Sequence, residues 1–182
     1  MRKIINSTYL SLDGDQEKLD EWHFEHWSDD VAAYAQDLLF SSDALVMGRL
    51  TYEGFAPAWS SRAGEDDFAD RMNAIEKYVV SSTLEKADWD NTTILSRENA
   101  VEEISKLKAQ PGQNILMYGF GPVAKTLLEH DLLDELRFWV HPVLAGGASL
   151  NTDGFTRRFT LTDTKPFDSG VVVLTYEPKA SS

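Results

Sequence analysis

Glycines at the end of an apolar run can bring the backbone close to a phosphate-bearing ligand. In NILMYGFGPVAK the run ends in two glycines, and a helical pattern begins at once. The residues at this junction are Gly119, Phe120, Gly121, Pro122 and Val123. The N–H groups and the positive dipole end of a helix start attract anions. Ala124 replaces the third glycine of the dinucleotide fingerprint, so the motif alone predicts either a ligand loop or a tight strand-to-helix turn.

A second strand end combines a glycine, an arginine and a hydroxyl. In VMGRLTYE, Gly48 closes the apolar run, and Arg49 and Thr51 lie in the first turn of the next helical pattern. An arginine and free N–H groups at a helix start can hold a phosphate together. The simpler interpretation is a turn glycine followed by a solvated arginine. We favour the phosphate interpretation because three suitable residue types coincide at one terminus.

A third strand end carries three hydroxyls. In KYVVSSTL the apolar run leads into Ser81, Ser82 and Thr83. These hydroxyls could receive a ribose or its phosphate, although clusters of serine and threonine also serve as ordinary turn residues. Ligands of open α/β sheets bind outside the carboxyl ends of the strands. Three such loops therefore make a more specific pattern than any one of them.

The N-terminal segment offers a carboxylate and aromatic rings. Asp13 and Gly14 form an Asp-Gly turn after the first predicted strand. The carboxylate could orient an amino-substituted heterocycle or assist its protonation, or it could simply build the turn. Trp22 and Trp27 could stack on a flat substrate ring, or they could belong to a satellite core or a dimer contact.

The histidines are weaker candidates. His23 and His26 are spaced to share one helix face, but no third ligand is evident. We therefore predict no metal site and a surface or pocket-lining role for both. His141 stands in a predicted strand and is interpreted as a packed residue rather than a base.

The order of apolar patterns predicts an α/β protein. Strands alternate with helices through residue 133, and strands then follow one another. We predict a helix over GRLTYEGFAPAW that ends near Pro57, a long strand over DELRFWVHPVLAGG, and a C-terminal hairpin closed around Asp168-Gly170. The DALVMG run is typical of a strand that is buried on both faces. We expect one domain over residues 1–178, followed by a frayed tail over 179–182.

Composition limits the class of protein. The 182 residues suit one domain, and 42% of them are apolar. The chain has no cysteine, which excludes disulfides and thiolate metal sites. A net charge of −13 argues against general nucleic-acid binding, although a local positive site can still take an anionic small ligand. No stretch approaches the roughly 20 apolar residues of a membrane span, and the N-terminus is too polar for a signal peptide, so we expect a soluble cytoplasmic protein.

Several motifs together resemble those of a known family. In order over about residues 3–178, the chain contains STYLSLDGD, ALVMGRLTYEGF, KYVVSSTL, ILMYGFGPVAKTLLEHDLLDELRFWVHPVLAGG and GVVVLTYEP. They resemble the dihydrofolate-reductase-like family that includes the reductase domain of the bifunctional riboflavin-biosynthesis deaminase–reductase, and in particular its stand-alone bacterial members. The resemblance implies a three-layer α/β fold, with a mostly parallel mixed sheet, antiparallel C-terminal strands and helices on both faces.

The resemblance also implies NADPH as the cofactor. It places the Gly48 helix start near the cofactor phosphates, the Ser81–Thr83 strand end near the adenosine ribose phosphate, and the Gly119–Val123 loop under the diphosphate. Asp13 and Gly14 correspond to the turn that closes on the nicotinamide and the substrate. A small heterocyclic substrate and a homodimer are implied as well.

The predicted activity resembles that of 5-amino-6-(5-phosphoribosylamino)uracil reductase, with hydride transfer to a planar pyrimidine or pterin-like heterocycle near Asp13 and residues 22–27. Two alternatives stay open, namely reduction of dihydrofolate or another pterin, and a non-catalytic ligand-binding protein on the same scaffold. Two features favour the non-catalytic alternative. Phe120 stands where the riboflavin-type pattern has a further glycine, and AGGASLNTDGF has no basic residue before Arg157 that could pair with a substrate phosphate.

Overall fold

The computed structural model describes residues 1–150 and 152–180. The strands are β1 (Ile4–Leu10), β2 (Ser42–Gly48), β3 (Glu76–Val80), β4 (Thr92–Leu95), β5 (Asn114–Tyr118), β6 (Glu135–Val140), β7 (Phe159–Pro166) and β8 (Val172–Pro178). The helices are α1 (Leu19–Trp22), α2 (Asp29–Phe40), α3 (Arg49–Ser60), α4 (Asp67–Ala74), α5 (Ala100–Ala109) and α6 (Pro122–Glu129). Most of the strands pair in parallel and the C-terminal strands pair antiparallel, which confirms the predicted α/β class with antiparallel C-terminal strands.

The chain divides into two compact units. The first comprises Met1–Ile4 and Gln36–Met117, and the second comprises Ile5–Ala35 and the chain from Tyr118 onward. The single domain expected over residues 1–178 stays a prediction. Of the predicted frayed tail, residues 181 and 182 lie outside the described part of the chain.

The strands of the first unit are all parallel and follow the order β4-β3-β2-β5. Ala44, Leu45, Val46 and Met47 in β2 are almost fully buried, as the DALVMG run predicts for a strand covered on both faces. The register sets Val80 of β3 opposite Gly48 on one side.

The second unit mixes strand directions. Its strands follow the order β1-β6-β8-β7, in which β1 and β6 are parallel while β8 runs antiparallel to both β6 and β7. The predicted C-terminal hairpin of β7 and β8 is confirmed, and Gly170 adopts the positive φ of 92° that its turn requires.

Helix α3 does not end near Pro57, and that predicted boundary is wrong. The helix continues to Ser60, and the Ser61 N–H donates to the Pro57 carbonyl at 3.2 Å. Proline lacks the N–H that would bond to the Glu53 carbonyl, but the loss of one bond near a helix end leaves the last turn intact.

The long strand predicted over residues 134–147 is also wrong in extent. Strand β6 ends at Val140. The His141 N–H still donates to the Leu10 carbonyl at 2.7 Å, but Pro142 has no N–H with which to continue a ladder. Residues beyond it are therefore free to form a loop.

A lysine is fully buried in the first unit. Nζ of Lys77 donates to the carbonyls of Asn73, Ile75 and Asp90 at 2.9, 2.7 and 3.1 Å, and lies 4.4 Å from the ring centroid of Trp89. Burial lowers the pKa of Lys77 to about 8, so the group is still charged at pH 7. Only the ammonium form has the three N–H donors that the three carbonyls accept.

Candidate functional site

The carboxyl ends of β2, β3 and β4 lie side by side in the first unit. Gly48 is opposite Val80, and Val80 is opposite Leu95. The residues that follow each strand therefore leave the sheet at one edge. The structure thus brings together two predicted groups, the helix start at Arg49 and the hydroxyls of Ser81–Thr83.

An ion pair on α3 engages the predicted phosphate-binding arginine. Nη1 of Arg49 donates to both carboxylate oxygens of Glu53, at 2.8 Å each. Gly48 is the N-cap residue and Thr51 lies in the first turn. Because glycine has no side chain to cap the helix, the first-turn N–H groups stay open to an anion. Glu53, however, offsets the charge of Arg49.

The three hydroxyls at the end of β3 take different roles. Oγ of Ser81 accepts hydrogen bonds from the N–H groups of Thr83 and Leu84, at 3.2 and 3.0 Å. Ser81 is buried, so it has the turn role that serine often takes. Ser82 and Thr83 are exposed, and a ligand role for them stays a prediction.

Arg97 is a basic residue at this edge that the sequence reasoning missed. Its backbone N–H donates to Oγ of Ser82 at 3.2 Å, and its side chain is exposed. The available signal was a basic residue directly after the segment TTILS (residues 92–96). An exposed guanidinium beside exposed hydroxyls suits a phosphate group.

In the second unit, hydrogen bonds from the β1 backbone and from the side chains of Asn6 and Gln16 hold the Gly119–Phe120 loop. Gly119 donates to the Ser7 carbonyl at 2.9 Å and accepts from Nδ2 of Asn6 at 2.8 Å. Phe120 donates to Oε1 of Gln16 at 2.9 Å, and its carbonyl accepts from Nε2 of the same amide at 2.7 Å. Gly119 has a φ of 78°, which a residue with a side chain rarely adopts.

The ring of Phe120 turns into the interior. It is 7% exposed and lies edge-on to Phe138, with ring centroids 6.4 Å apart. Both rings line an apolar cavity of about 320 Å³. Because the ring points away from the loop surface, it does not obstruct the approach of a ligand to the glycine backbone. Phe120 therefore gives no support to the non-catalytic alternative.

The loop leads directly into the start of α6. Gly121 is an extended N-cap with a φ of −143°, and Pro122 occupies the first turn. The N–H of Lys125 makes the first helical bond, to the Gly121 carbonyl at 3.0 Å. The N–H groups of Val123 and Ala124 precede that bond and point out of the helix start. This is the predicted seat for an anion, and its ligand role stays a prediction.

Asp13 ties down a distant loop. Its Oδ1 accepts from Oγ of Ser11 at 2.6 Å and from the Ala145 N–H at 2.8 Å. Its Oδ2 accepts from the N–H groups of Gly146 and Gly147 at 2.9 and 3.1 Å. These hydrogen bonds, that of Ser11 first, lower the pKa of Asp13 to about 2. The group is thus an anion at neutral pH that accepts hydrogen bonds and has no proton to donate, and its predicted catalytic role stays untested.

A second set of contacts holds the same two loops together. The Gly14 carbonyl accepts from the N–H groups of Ser149 and Leu150, at 3.2 and 3.1 Å. The Gln16 N–H donates to Oγ of Ser149 at 2.8 Å. The Asp-Gly turn is therefore a docking point for residues 145–150, in addition to any contact with a substrate.

The two predicted tryptophans differ in exposure. Trp22 is buried, and its Nε1 donates to Oδ2 of Asp15 at 3.4 Å, which favours the core interpretation. Trp27 keeps 40% of its surface exposed and remains a candidate for stacking on a substrate ring.

In residues 1–150 and 152–180, no group of three or more histidine, aspartate or glutamate side chains is placed to hold a metal ion. No helix in the same ranges is long and apolar enough to cross a membrane.

Together, the sheet order and the loops at the strand ends define a dihydrofolate-reductase-like α/β protein. The sequence model of the RibD C-terminal domain matches residues 2–173. The chain belongs to that family, which is of the riboflavin-biosynthesis reductase type.

Two other proteins are similar to this chain over most of its length. The uncharacterized protein YyaP of Bacillus subtilis is 32% identical over 145 residues, which cover 77% of this chain and 76% of that protein. A putative riboflavin biosynthesis protein from Shewanella sp. PV-4 has the same fold, with a TM-score of 0.73 and 22% identity over 98% of this chain and 99% of that one.

Two further structures share the fold at lower identity. A pyrimidine reductase-like protein from Corynebacterium diphtheriae has a TM-score of 0.64 and 13% identity, over 99% of this chain and 93% of that one. The Thermotoga maritima diaminohydroxyphosphoribosylaminopyrimidine deaminase/5-amino-6-(5-phosphoribosylamino)uracil reductase has a TM-score of 0.64 and 14% identity. The match covers 98% of this chain but 57% of that bifunctional chain.

Proposed function

We propose that the protein is an NADPH-dependent reductase that acts on a planar pyrimidine of the 5-amino-6-(5-phosphoribosylamino)uracil type. It would act in the cytoplasm, and it would be a homodimer, as the family resemblance implies. The observation that carries the proposal is the strand edge of the first unit, where Arg49, Arg97 and the Ser81–Thr83 turn follow three adjacent strands. On a chain with a net charge of −13, two arginines beside exposed hydroxyls are suited to an anionic ligand.

The residues present fit the cofactor. In the first unit, the exposed guanidinium of Arg97 and the hydroxyls of Ser82 and Thr83 suit the ribose phosphate that distinguishes NADPH from NADH. Independently, the helix start at Gly121 in the second unit offers N–H groups that suit an anionic group. NADPH supplies the hydride when bound, and the protein binds, orients and shields the reactants.

The direct test is a titration of the purified protein with NADPH, followed by nicotinamide fluorescence. Saturable binding is expected, and turnover of 5-amino-6-(5-phosphoribosylamino)uracil should consume NADPH. Absence of binding up to millimolar NADPH would reject the proposal. Size-exclusion chromatography with light scattering tests the homodimer.

Neutralising Glu53 should tighten NADPH binding. Glu53→Gln removes the charge that engages Arg49 and leaves the guanidinium free to face a phosphate. We expect the Kd for NADPH to fall by about two- to fivefold at low salt, since exposed ion pairs are weak and screened. The matched control is Glu65→Gln, which removes one of the two carboxylates that pair with Arg62. An unchanged Kd for Glu53→Gln would place Arg49 outside the phosphate site.

Removing the charge of Arg97 should change cofactor preference. Arg97→Gln is expected to raise the Kd for NADPH by roughly tenfold, the worth of one charge-assisted hydrogen bond, and to leave the Kd for NADH the same. Arg62→Gln, another exposed arginine of the first unit, should change neither. Equal losses for both cofactors would show that Arg97 does not contact the 2′-phosphate.

A further inference from the structure

Two buried histidines form a hydrogen-bonded pair at the edge where β1 and β6 end. His141 follows Val140, which lies opposite Leu10 at the end of β1. Nδ1 of His23 is 3.0 Å from Nε2 of His141, and Nδ1 of His141 is 2.9 Å from the carbonyl oxygen of Trp139. His23 is 8% exposed and His141 is 1% exposed.

This chain of contacts fixes the tautomer of both rings. The Trp139 carbonyl can only accept, so Nδ1 of His141 carries a proton. In the neutral ring, Nε2 of His141 is then an acceptor, and Nδ1 of His23 must donate to it. Nε2 of His23 is therefore left as an unprotonated acceptor.

Both rings are neutral at physiological pH. Burial, together with the charges of His141 and His26, lowers the pKa of His23 to about 4. Burial also lowers the pKa of His141, despite its hydrogen bond to the Trp139 carbonyl. A ligand at pH 7 therefore encounters both rings in the neutral form that carries its proton on Nδ1.

The free nitrogen of His23 lies within an aromatic surface. The ring stacks on Tyr9 with centroids 4.4 Å apart, and lies 5.2 Å from Phe24 and 5.1 Å from Trp27. Phe24 and Trp27 are exposed. The described residues provide no hydrogen-bond partner for His23 Nε2, and the residue keeps 8% of its surface exposed.

We propose that Nε2 of His23 accepts a hydrogen bond from a ring N–H or amino group of the heterocyclic substrate. His141 is the positioning residue that holds His23 in the accepting tautomer. The inference rests on the proposed function for its substrate class. An analogue with a carbonyl oxygen at that position would set two acceptors against each other and be rejected.

The tautomer is tested without any turnover. Imidazole ¹⁵N NMR of the full chain at pH 7 should show His23 and His141 neutral, each protonated at Nδ1 and not at Nε2. Addition of 2,4-diaminopyrimidine, which offers amino donors, should shift the His23 Nε2 resonance toward that of a hydrogen-bonded nitrogen. A proton on Nε2 of His23, or an unmoved resonance at saturating ligand, would overturn the proposal.

Variants then separate substrate contact from folding. His23→Phe keeps a flat ring against Tyr9 and removes the acceptor, and should raise KM for the pyrimidine about tenfold or more while the Kd for NADPH stays the same. His141→Phe should release the tautomer of His23 and raise KM similarly. His130→Phe, at an exposed histidine whose Nδ1 contacts the Thr126 carbonyl, should leave KM unchanged.

The outcomes distinguish this inference from the proposed function. Normal turnover with an unchanged KM in His23→Phe would overturn the role of His23 and leave the reductase intact. Conversely, a ligand-induced shift at His23 Nε2 in a protein that does not bind NADPH would support the contact and reject the reductase. Should His141→Phe fail to fold, the NMR measurement on the unaltered chain still decides the tautomer.

Discussion

Replacing Lys77 with methionine is expected to lower the free energy of unfolding by about 3–5 kcal/mol, because three buried carbonyls each lose a donor at a cost of about 1–3 kcal/mol apiece. The ammonium group satisfies three carbonyls, of Asn73, Ile75 and Asp90. Methionine is unbranched like lysine and one atom shorter, so it fills most of the space, and the loss comes mainly from three buried acceptors without donors. Urea unfolding monitored by circular dichroism gives the value.

The control for Lys77 is a lysine in solvent. The side chain of Lys86 is 82% exposed and pairs with Asp88, so Lys86→Met should change the free energy of unfolding by no more than about 0.5 kcal/mol. A change at Lys77 as small as that at Lys86 would mean that the three carbonyls find water or other donors in the variant.

Replacing Asp13 with asparagine is expected to detach residues 145–147. An amide offers one acceptor oxygen where the carboxylate offers two, and its NH₂ group would face the N–H donors of Gly146 and Gly147. Amide hydrogen exchange at residues 145–147 should accelerate by on the order of tenfold or more, given the strength of hydrogen bonds to charged groups. The turnover of the proposed reductase should fall in the same variant.

The stabilisation of the 145–147 loop by the Asp13 carboxylate should depend on pH. Its pKa is lowered from 3.8 to about 2, so the stabilising contacts are complete above pH 4 and are lost as the pH falls toward 2. The ratio of amide exchange rates at residues 145–147 between Asp13→Asn and the unaltered chain, corrected for the intrinsic pH dependence of exchange, should therefore be constant from pH 5 to 8 and fall toward one below pH 4. Asp20→Asn, at an exposed carboxylate, should show no such difference, and equal exchange in both variants would contradict the tie.

Local pattern predicts the elements of this chain well because burial leaves a local signature. The DALVMG run is apolar throughout since both faces of β2 are covered, and Pro122 after a glycine marks the start of α6. The boundaries at Pro57 and Val140 depend instead on single hydrogen bonds near an element end. Helix and strand propensities of the residues do not predict such boundaries.

The site was predictable only in part, because its contacts join residues far apart in the sequence. Asp-Gly predicts a turn, but nothing near Asp13 indicates that Ala145 donates to it across 132 positions. The same holds for the bond between His23 and His141, 118 positions apart. From the sequence, His141 is interpreted as a packed strand residue. The hydrogen bond to His141 seen in the structure determines which nitrogen of His23 is the acceptor.

The side-chain amide of Gln16, which bonds to both the N–H and the carbonyl of Phe120, orders the glycine loop before any ligand binds. A glycine loop usually loses conformational entropy when a ligand orders it, and this loss weakens affinity. Here the loop is ordered by contacts within the second unit, so that loss belongs to folding and not to association. Encounter with an anion at the start of α6 should therefore proceed without a slow ordering step, and single-exponential binding kinetics that scale with ligand concentration are the expected signature.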